Sequence, residues 1–234
     1  MLSNTSLEPM PVGAIDLPLK RAADIVIAAL ALLCLCPLIL AIGLLVRVTS
    51  PGPLLYRQKR VGRDGLLFDI YKFRTMCAGA DRQGPSVTSA DDSRVTPVGR
   101  FLRSKKLDEI PQLLNVIKGD MSLVGPRPQV PRFVDRFDPA LRDVVLGVRP
   151  GITSPTTLYF RNEESMLANK ADRETYYIEE ILPVKLGMDA QYVRTRSLGG
   201  DMKVLAQTGM LFLGALSGQR MRPSPLLADS TAVL

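Results

Sequence analysis

The sequence contains no histidine and only three cysteines. Without an imidazole, the chain cannot use a Ser-His-Asp triad, a histidine general base or a histidine-built zinc site. Cys34 and Cys36 lie inside an apolar run and Cys77 stands alone, so no disulfide framework is expected, which fits a reducing cytosol. Any chemistry must therefore rely on carboxylates, lysines, arginines and hydroxyls.

Acidic residues are outnumbered by basic ones, 23 against 30, which leaves a formal net charge of +7. This balance implies an anionic partner, and nucleic acid, anionic lipid and phosphorylated small molecules all qualify. The chain has 234 residues, is 46% hydrophobic and has a mean hydropathy of +0.11. These values predict one globular unit together with a membrane-associated portion.

Charge is absent from residues 25–46, a run of 22 residues that would extend about 33 Å as a helix, close to the thickness of a bilayer core. A cleaved signal peptide is the competing interpretation, but Arg47 follows the run in place of a small-residue cleavage site. Basic residues flank both ends, so both ends prefer the same side of a membrane. Pro37 could bend the run into a re-entrant hairpin, and a kinked spanning helix is the alternative.

The rest of the chain alternates short strands and helices. Alternating apolar residues around Asp64-Gly65 predict two antiparallel strands, and residues 77–97 read as a loop beside a site or as an ordinary surface loop. Helical spacing over 98–117 is interrupted near Pro111, which predicts two short helices. Further helices are predicted over 136–146, over 163–198 with a break near Pro183, and over 204–216 as an interfacial or core helix too short to span a membrane.

Asp108 and Glu109 are adjacent carboxylates placed just before Pro111, a residue tolerated in the first turn of a helix. The positive end of the helix dipole would lower both pKa values and help to hold a phosphate. Ionised Asp108 could then act as a nucleophile through an aspartyl-phosphate, with a divalent cation such as magnesium offsetting diphosphate charge. The alternative is that both residues only cap the helix. Three nearby cations add positive charge, Arg103, Lys105 and Lys106.

Three further sets of residues are candidates for anion binding. Lys72 and Arg74 alternate on a predicted strand and so point to one face. They could contact a diphosphate there, and the alternative is that this face is simply a solvated basic face. The prolines Pro126 and Pro128 hold Arg127 on a stiff loop, as expected for an anion clamp, although such brackets also occur in ordinary turns. Arg149-Pro150-Gly151 again places an arginine next to a proline, and Gly151 would allow the backbone to approach a ligand closely.

Taken together, these motifs resemble the monotopic phosphoglycosyl transferases, a family of bacterial sugar transferases. The resemblance runs from about Lys20 to Asp201 and includes KRAAD, YKFRTM, RFLRSKKLDEIPQLLNVIKGDMSLVGPRP and VRPGIT in the family's order. It implies that Asp108 is the nucleophile, that Glu109 is its dyad partner and that Mg²⁺ binds at these two residues. It also implies that Arg103 binds phosphate and that Pro126-Arg127-Pro128 binds uridine. Lys72 and Arg149 are carried over by looser motif matches.

The family's reaction implies a ping-pong mechanism, in which Asp108 attacks a UDP-sugar, UMP leaves and polyprenyl phosphate then accepts the sugar 1-phosphate. Two departures stand out. Cys36-Pro37 replaces the Ser-Pro pair at which the family's membrane helix breaks, and a thiol is a weaker hydrogen-bond partner than a hydroxyl. Residues 154–160 replace the glycine, the aromatic or leucine, and the glutamine that commonly follow the arginine-proline-glycine motif, so the sugar is not predicted.

We therefore expect an α/β (α+β) unit of short helices and a small antiparallel sheet, tethered by a re-entrant helix to the cytosolic face of the bacterial inner membrane. The expected partners are a UDP-sugar, polyprenyl phosphate and membrane lipid, without nucleic acid, and a homodimer is allowed. A membrane-bound phosphatase and a basic non-catalytic scaffold are the rival interpretations. The predicted segments are an arm over 1–19, the membrane helix over 20–49, the catalytic unit over 50–217 and a disordered tail over 218–234.

Overall fold

The computed structural model describes residues 18–80, 92–167, 170 and 172–216. The tail predicted over 218–234, the arm before residue 18 and the centre of the loop predicted over 77–97 lie outside the described residues. The helices are α1 (Pro18–Thr49), α2 (Pro97–Ser104), α3 (Gln112–Lys118), α4 (Pro131–Val134), α5 (Pro139–Leu146), α6 (Pro155–Tyr159), α7 (Glu163–Leu167), α8 (Arg173–Tyr176), α9 (Leu182–Thr195) and α10 (Leu198–Leu216). The strands are β1 (Leu55–Val61), β2 (Leu67–Phe73), β3 (Ser122–Val124) and β4 (Gly151–Thr153).

The predicted hairpin is confirmed, because β1 and β2 pair antiparallel with Leu55 opposite Phe73 and Val61 opposite Leu67. A short 3₁₀ turn joins them, and within it Asp64 has a φ of 56°. Aspartate tolerates this left-handed conformation better than most residues do, which is why the Asp-Gly pair was a reliable turn signal. The hairpin brings the carboxyl end of β2 towards the segment that carries the two adjacent carboxylates.

The mixed helix and small-sheet architecture is confirmed, with one addition to the expected antiparallel sheet. Strands β3 and β4 form a second, parallel pair with Ser122 opposite Gly151 and Val124 opposite Thr153. A Cβ at Gly151 would lie 2.1 Å from the backbone nitrogen of Gly125. The prediction that Gly151 makes room for a ligand is therefore wrong, since its missing side chain lets two backbone segments of the protein cross.

Replacing Gly151 by alanine is expected to destabilise the fold by about 2–3 kcal/mol, because the added methyl group meets backbone atoms that cannot rotate away. Gly187→Ala is the matched control, since nothing lies within 4 Å of its added Cβ. In a helix that second change is expected to stabilise by about 0.5–1 kcal/mol. Denaturant unfolding of the detergent-solubilised proteins gives both values, and equal effects of the two changes would contradict this account.

Helix α1 confirms the predicted apolar N-terminal helix and is long and apolar enough to cross a membrane by length and composition. It begins at Pro18 and continues through Pro37 to Thr49 without interruption, so any bend at Cys36-Pro37 leaves the helix continuous. The re-entrant path stays a prediction. One stripe of α1 is buried against the globular unit, whereas the outward face is apolar and exposed. The buried stripe contains Lys20, Asp24, Ala28, Ile42 and Val46.

Buried polar contacts fasten the start of α1 to the globular unit. Lys20 Nζ lies 2.7 Å from Asp201 Oδ2 on α10, and the Tyr192 hydroxyl of α9 donates to Asp201 Oδ1 at 2.8 Å. Asp24 accepts from the Ser122 hydroxyl of β3 at 2.7 Å. Full pairing of these groups offsets the penalty of burying them, so the KRAAD segment has a structural role.

The helix predicted over 204–216 is longer than expected, since α10 begins at Leu198. Its Val204 is buried and its Thr208 hydroxyl lies 2.8 Å from that of Thr153 on β4, while Met210 and Leu213 are exposed. One face of α10 therefore belongs to the core, and the other is an exposed apolar face of the kind expected at a membrane interface.

Candidate active site

The two adjacent carboxylates lie in a single 3₁₀ turn, Leu107–Glu109, immediately before α3. Pro111 caps α3, which confirms the prediction that the pair precedes a helix start. Lys106, the residue before the turn, has a φ of 56°. A lysine in this left-handed conformation costs about 1 kcal/mol or more, and such strain is found where surrounding structure fixes a functional side chain.

Glu109 is held between two cations that the sequence had placed in separate motifs. Lys72 Nζ, from β2, donates to Glu109 Oε1 at 2.8 Å. Arg127 Nη1 donates to Glu109 Oε2 at 3.2 Å, and Arg127 Nη2 donates to Glu109 Oε1. The fold thus brings together residues that are 37 and 18 positions from Glu109 in the chain.

The proline-bracketed loop delivers Arg127 because its backbone is tied on both sides. The Pro126 carbonyl accepts from Gly151 N at 2.8 Å, and the Pro128 carbonyl accepts from Arg60 Nη1 at 3.1 Å. Arg127 makes a two-point contact with one carboxylate, a geometry that lysine cannot reproduce. In the described residues Arg127 therefore clamps the carboxylate of Glu109, and its contact with a substrate anion stays a prediction.

Burial and charge act on Glu109 in opposite directions. Burial alone would raise the pKa of Glu109, but Arg127 and Lys72 outweigh it and hold that pKa well below its usual range. The same contact with Glu109 raises the pKa of Arg127, whereas burial lowers the pKa of Lys72 despite the neighbouring carboxylate. Glu109 is accordingly a fixed negative charge at neutral pH.

Asp108 behaves differently from its neighbour. It is 6% exposed, and its Oδ1 has no hydrogen-bond partner among the described residues. Burial raises its pKa, and Glu109 adds to the rise, although Lys72 opposes it. The prediction that a helix dipole lowers the pKa of Asp108 is therefore wrong, because desolvation prevails at this position. An under-solvated carboxylate oxygen is a stronger nucleophile than a hydrated one.

The structure places the remaining predicted residues at different distances from the dyad. Arg103 lies in the last turn of α2 and is among the cations that oppose the rise in the pKa of Asp108. Arg74 follows β2 and is buried. Arg149 is not brought to the dyad, since its Nε donates to the Gly119 carbonyl at 2.9 Å, at the opposite end of α3.

Fit to a magnesium ion can be judged from the carboxylate oxygens. Within the described ranges one oxygen of Asp108 has no partner, whereas both oxygens of Glu109 are engaged by Lys72 and Arg127. Mg²⁺ usually takes one or two carboxylates together with water and substrate phosphates. Among the residues that the structure describes, no cluster of three or more acidic or cysteine side chains forms a closed metal site. The residues fit an ion held by Asp108 and by the substrate's own phosphates.

A narrow pocket beside Arg127 contains polar residues that the sequence analysis missed. Lys185 and Asp189 of α9 line it together with Pro126 and Pro128. Burial raises the pKa of Asp189 to about 6, opposed by the Thr156 hydroxyl and by Lys185. The sequence did hold a signal for this pair: Lys185 and Asp189 are four residues apart, which places them on the same face of a helix.

These features can be compared with known proteins. A sequence model described as "Bacterial sugar transferase" matches residues 15–215, nearly the whole chain. The chain belongs to the bacterial sugar transferase family. All the motifs that raised this resemblance, and every site residue described above, lie within the matched range.

The chain is similar to three curated relatives from different bacteria. It is 39% identical over 204 residues to the UDP-glucose:undecaprenyl-phosphate glucose-1-phosphate transferase of Caulobacter vibrioides, covering 86% of this chain and 71% of that protein. It is 44% identical over 150 residues to the UDP-N-acetylgalactosamine-undecaprenyl-phosphate N-acetylgalactosaminephosphotransferase of Aeromonas hydrophila, covering 63% of this chain and 35% of that protein. The Escherichia coli UDP-glucose:undecaprenyl-phosphate glucose-1-phosphate transferase is 34% identical over 200 residues, covering 85% of this chain and 41% of that protein.

Proposed function

We propose that this protein transfers a sugar 1-phosphate from a UDP-sugar to a polyprenyl phosphate such as undecaprenyl phosphate, as a first membrane step in exopolysaccharide or glycoconjugate synthesis. The observation that carries the proposal is the buried dyad, in which an oxygen of Asp108 has no partner among the described residues and Glu109 is clamped by Lys72 and Arg127. The relatives' names support the class of donor and acceptor. They differ in the sugar, so the sugar itself is left open.

In the proposed first step, a carboxylate oxygen of Asp108 attacks the phosphorus that carries the sugar. A phosphorus–oxygen bond to Asp108 forms, the bond to the bridging oxygen breaks, and UMP leaves with the electron pair. Arg127 and Arg103 are the candidates to bind the donor, the former through its nucleotide and the latter through its phosphate. Glu109 and Lys72 keep the site's charges fixed around the reacting phosphate, which is favourable because such a site needs little reorganisation.

In the second step, an oxygen of the polyprenyl phosphate attacks the same phosphorus. The new phosphorus–oxygen bond makes the lipid-linked diphosphate, and the bond to Asp108 breaks and restores its carboxylate. Because the attacking phosphate oxygen is already ionised, this step needs no further base. Mg²⁺ held by Asp108 and the substrate would offset the charge of the diphosphate. Asp108 has the free oxygen for that role, and Glu109 does not.

Helix α1 supports a position at the membrane where both substrates can meet. Lys20 near its start pairs with Asp201, and Val46 near its end packs in one cluster with Phe73 and Leu102. Contact of one globular unit with both ends of α1 favours a path in which those ends stay on the same side of the bilayer. The basic flanks favour the cytosolic side. This contact pattern supports a monotopic arrangement at the cytosolic face of the inner membrane.

The test is an assay of UMP release by purified protein with Mg²⁺, undecaprenyl phosphate and a panel of UDP-sugars. We expect lipid-dependent release of UMP and formation of a lipid-linked diphosphate with one donor or a few. Release of free sugar phosphate without a lipid product would instead support the phosphatase. If Asp108→Ala kept full turnover, Asp108 would not be the nucleophile. If no donor gave any turnover, the non-catalytic scaffold would be favoured.

A pH profile tests the assigned state of Asp108. The reactive form is the carboxylate, so activity is expected above the pKa of Asp108 and is lost as pH falls through it. Lys72 is the largest influence that lowers this pKa, so Lys72→Met is expected to move the acid limb of the rate to higher pH. The measurement is UMP release against pH, each variant scaled to its own maximum. The control is Lys59→Met, at an exposed lysine paired with Asp69, which should keep the acid limb of the wild-type pH profile. An acid limb that Lys72→Met does not move would contradict the assigned state of Asp108.

A further inference from the structure

Arg74 is a buried cation for which the described part of the chain shows no acidic partner. It follows β2 directly and is 7% exposed. Its Nη2 donates to the Ser50 carbonyl at 2.6 Å, but its Nε and Nη1 are buried without a hydrogen-bond partner in the described part of the chain. Buried polar groups are rarely left in this state, and a buried unpaired charge is more costly still.

Arg74 differs from the two cations that bind the dyad. Lys72 and Arg127 both donate to Glu109. Arg74 lies two residues beyond Lys72, and its backbone nitrogen still donates to the Leu54 carbonyl at 3.1 Å, so it continues the extended pairing of the hairpin. Residues two apart on an extended strand point to the same face. Among the residues that the structure describes, none supplies an anion to Arg74, so its charge is available on the same face of the strand as Lys72.

The surroundings of Arg74 connect the membrane helix with the dyad. Ser50, which accepts its hydrogen bond, immediately follows α1, and a Cβ at Gly52 would lie 2.2 Å from its Nη1. The neighbouring Phe73 packs in one cluster with Ile42 and Val46 of α1. A phosphate attached to a lipid within the bilayer can reach the globular unit at this end of α1, where the membrane helix joins the hairpin that carries Lys72.

We propose that Arg74 binds the phosphate headgroup of the polyprenyl acceptor, as the acceptor subsite of the transfer described above, on which this inference rests. The guanidinium matches the geometry of a phosphate monoester and would donate through Nε and Nη1 once the turn at Gly52 moves away. It neutralises part of the charge repulsion between the incoming lipid phosphate and the phosphate held on Asp108. The rival role is a clamp that only holds the end of α1 against β2 through Ser50.

The two half-reactions separate these roles. Without lipid, wild-type protein should release at most one UMP per active site, and Arg74→Gln should keep that burst within about twofold, because the proposal assigns Arg74 to the acceptor and not to the donor. With lipid, Arg74→Gln should raise the KM for undecaprenyl phosphate about tenfold or more, as expected for the loss of a charge-assisted hydrogen bond. Arg74→Lys keeps the charge, so its KM for undecaprenyl phosphate should lie between those of wild type and Arg74→Gln. Arg57→Gln removes an exposed arginine of the same hairpin and should leave both half-reactions unchanged.

A binding measurement keeps the inference testable whatever the turnover assay gives. Titration of a short-chain polyprenyl phosphate into detergent-solubilised protein should show about tenfold weaker binding to Arg74→Gln than to wild type or Arg57→Gln. Equal affinities would overturn the proposal. The proposal would also be overturned if Arg74→Gln lowered the burst, the lipid-dependent rate and the melting temperature together. That combination is expected of a residue that only holds the end of α1 against β2. Absence of turnover in wild type would instead count against the transfer reaction alone.

Discussion

Asp108→Asn is expected to lower the lipid-dependent release of UMP by about 1000-fold or more, the scale of loss seen when a nucleophile is removed from an enzyme that works through a covalent intermediate. The amide is nearly isosteric with the carboxylate but cannot attack phosphorus. It also brings N–H donors to a position where the carboxylate oxygen Oδ1 has no partner in the part of the chain that the structure describes. The measurement is steady-state UMP release with the donor that wild-type protein uses.

The matched control for that change is Asp143→Asn, which makes the same substitution at an exposed position of α5. It is expected to leave turnover within about twofold and stability within about 0.5 kcal/mol, as for most surface substitutions. Because Asp108 is buried with a raised pKa, its replacement by a neutral amide should not unfold the protein. Loss of activity together with loss of the folded state would therefore contradict the assigned role.

Arg127→Ala is expected to have the second largest effect, on activity and on stability together. Glu109 would keep Lys72 but lose its two-point contact, so a largely buried carboxylate would remain under-compensated. Loss of one member of a buried charge cluster predicts a destabilisation of about 2 kcal/mol or more. Donor binding would weaken as well, because the same guanidinium is the candidate contact for the nucleotide. Chemical denaturation and the KM for the UDP-sugar measure the two effects.

The stability effect of Arg127→Ala should depend on pH in a stated direction. A glutamate with a lowered pKa stabilises the fold above the usual glutamate pKa, and this stabilisation is lost as pH falls through the folded-state value. Wild type and variant should thus differ most at neutral pH and converge in acid. Arg132→Ala is the control, since this exposed arginine pairs with Glu174 on the surface and should change stability by less than about 1 kcal/mol. A constant difference at all pH values would contradict the account.

Local sequence signals predicted the local structure well. The Asp64-Gly65 turn, the helix start after the carboxylate pair and the apolar run of α1 each depend on a few neighbouring residues, and each is present in the structure. The start of α10 was placed late because the polar first turn beginning at Leu198 hides its helical spacing. Its Asp201 is polar and nevertheless buried, paired with Lys20 from the other end of the chain.

Long-range effects could not be read from the sequence in the same way. The pKa of Asp108 was predicted with the wrong sign, because a dipole argument considers one helix whereas the burial comes from several elements. The parallel pairing of β3 with β4 joins residues far apart in the chain, and it gave Gly151 a backbone partner in place of a ligand. Arg149 was carried over from the VRPGIT motif, and the fold places its Nε against the Gly119 carbonyl at the far end of α3, so its contact with substrate stays a prediction.

The central claim is that the sugar phosphate passes through a covalent bond to Asp108, and the mass of the intact protein tests it most directly. Wild-type protein mixed with Mg²⁺ and its UDP-sugar, without lipid, should gain the mass of one sugar phosphate, and added undecaprenyl phosphate should remove it. Peptide mapping should place the adduct on Asp108, and Asp108→Asn should gain no mass. Turnover with lipid but no adduct in wild type, or an adduct on another residue, would contradict the account.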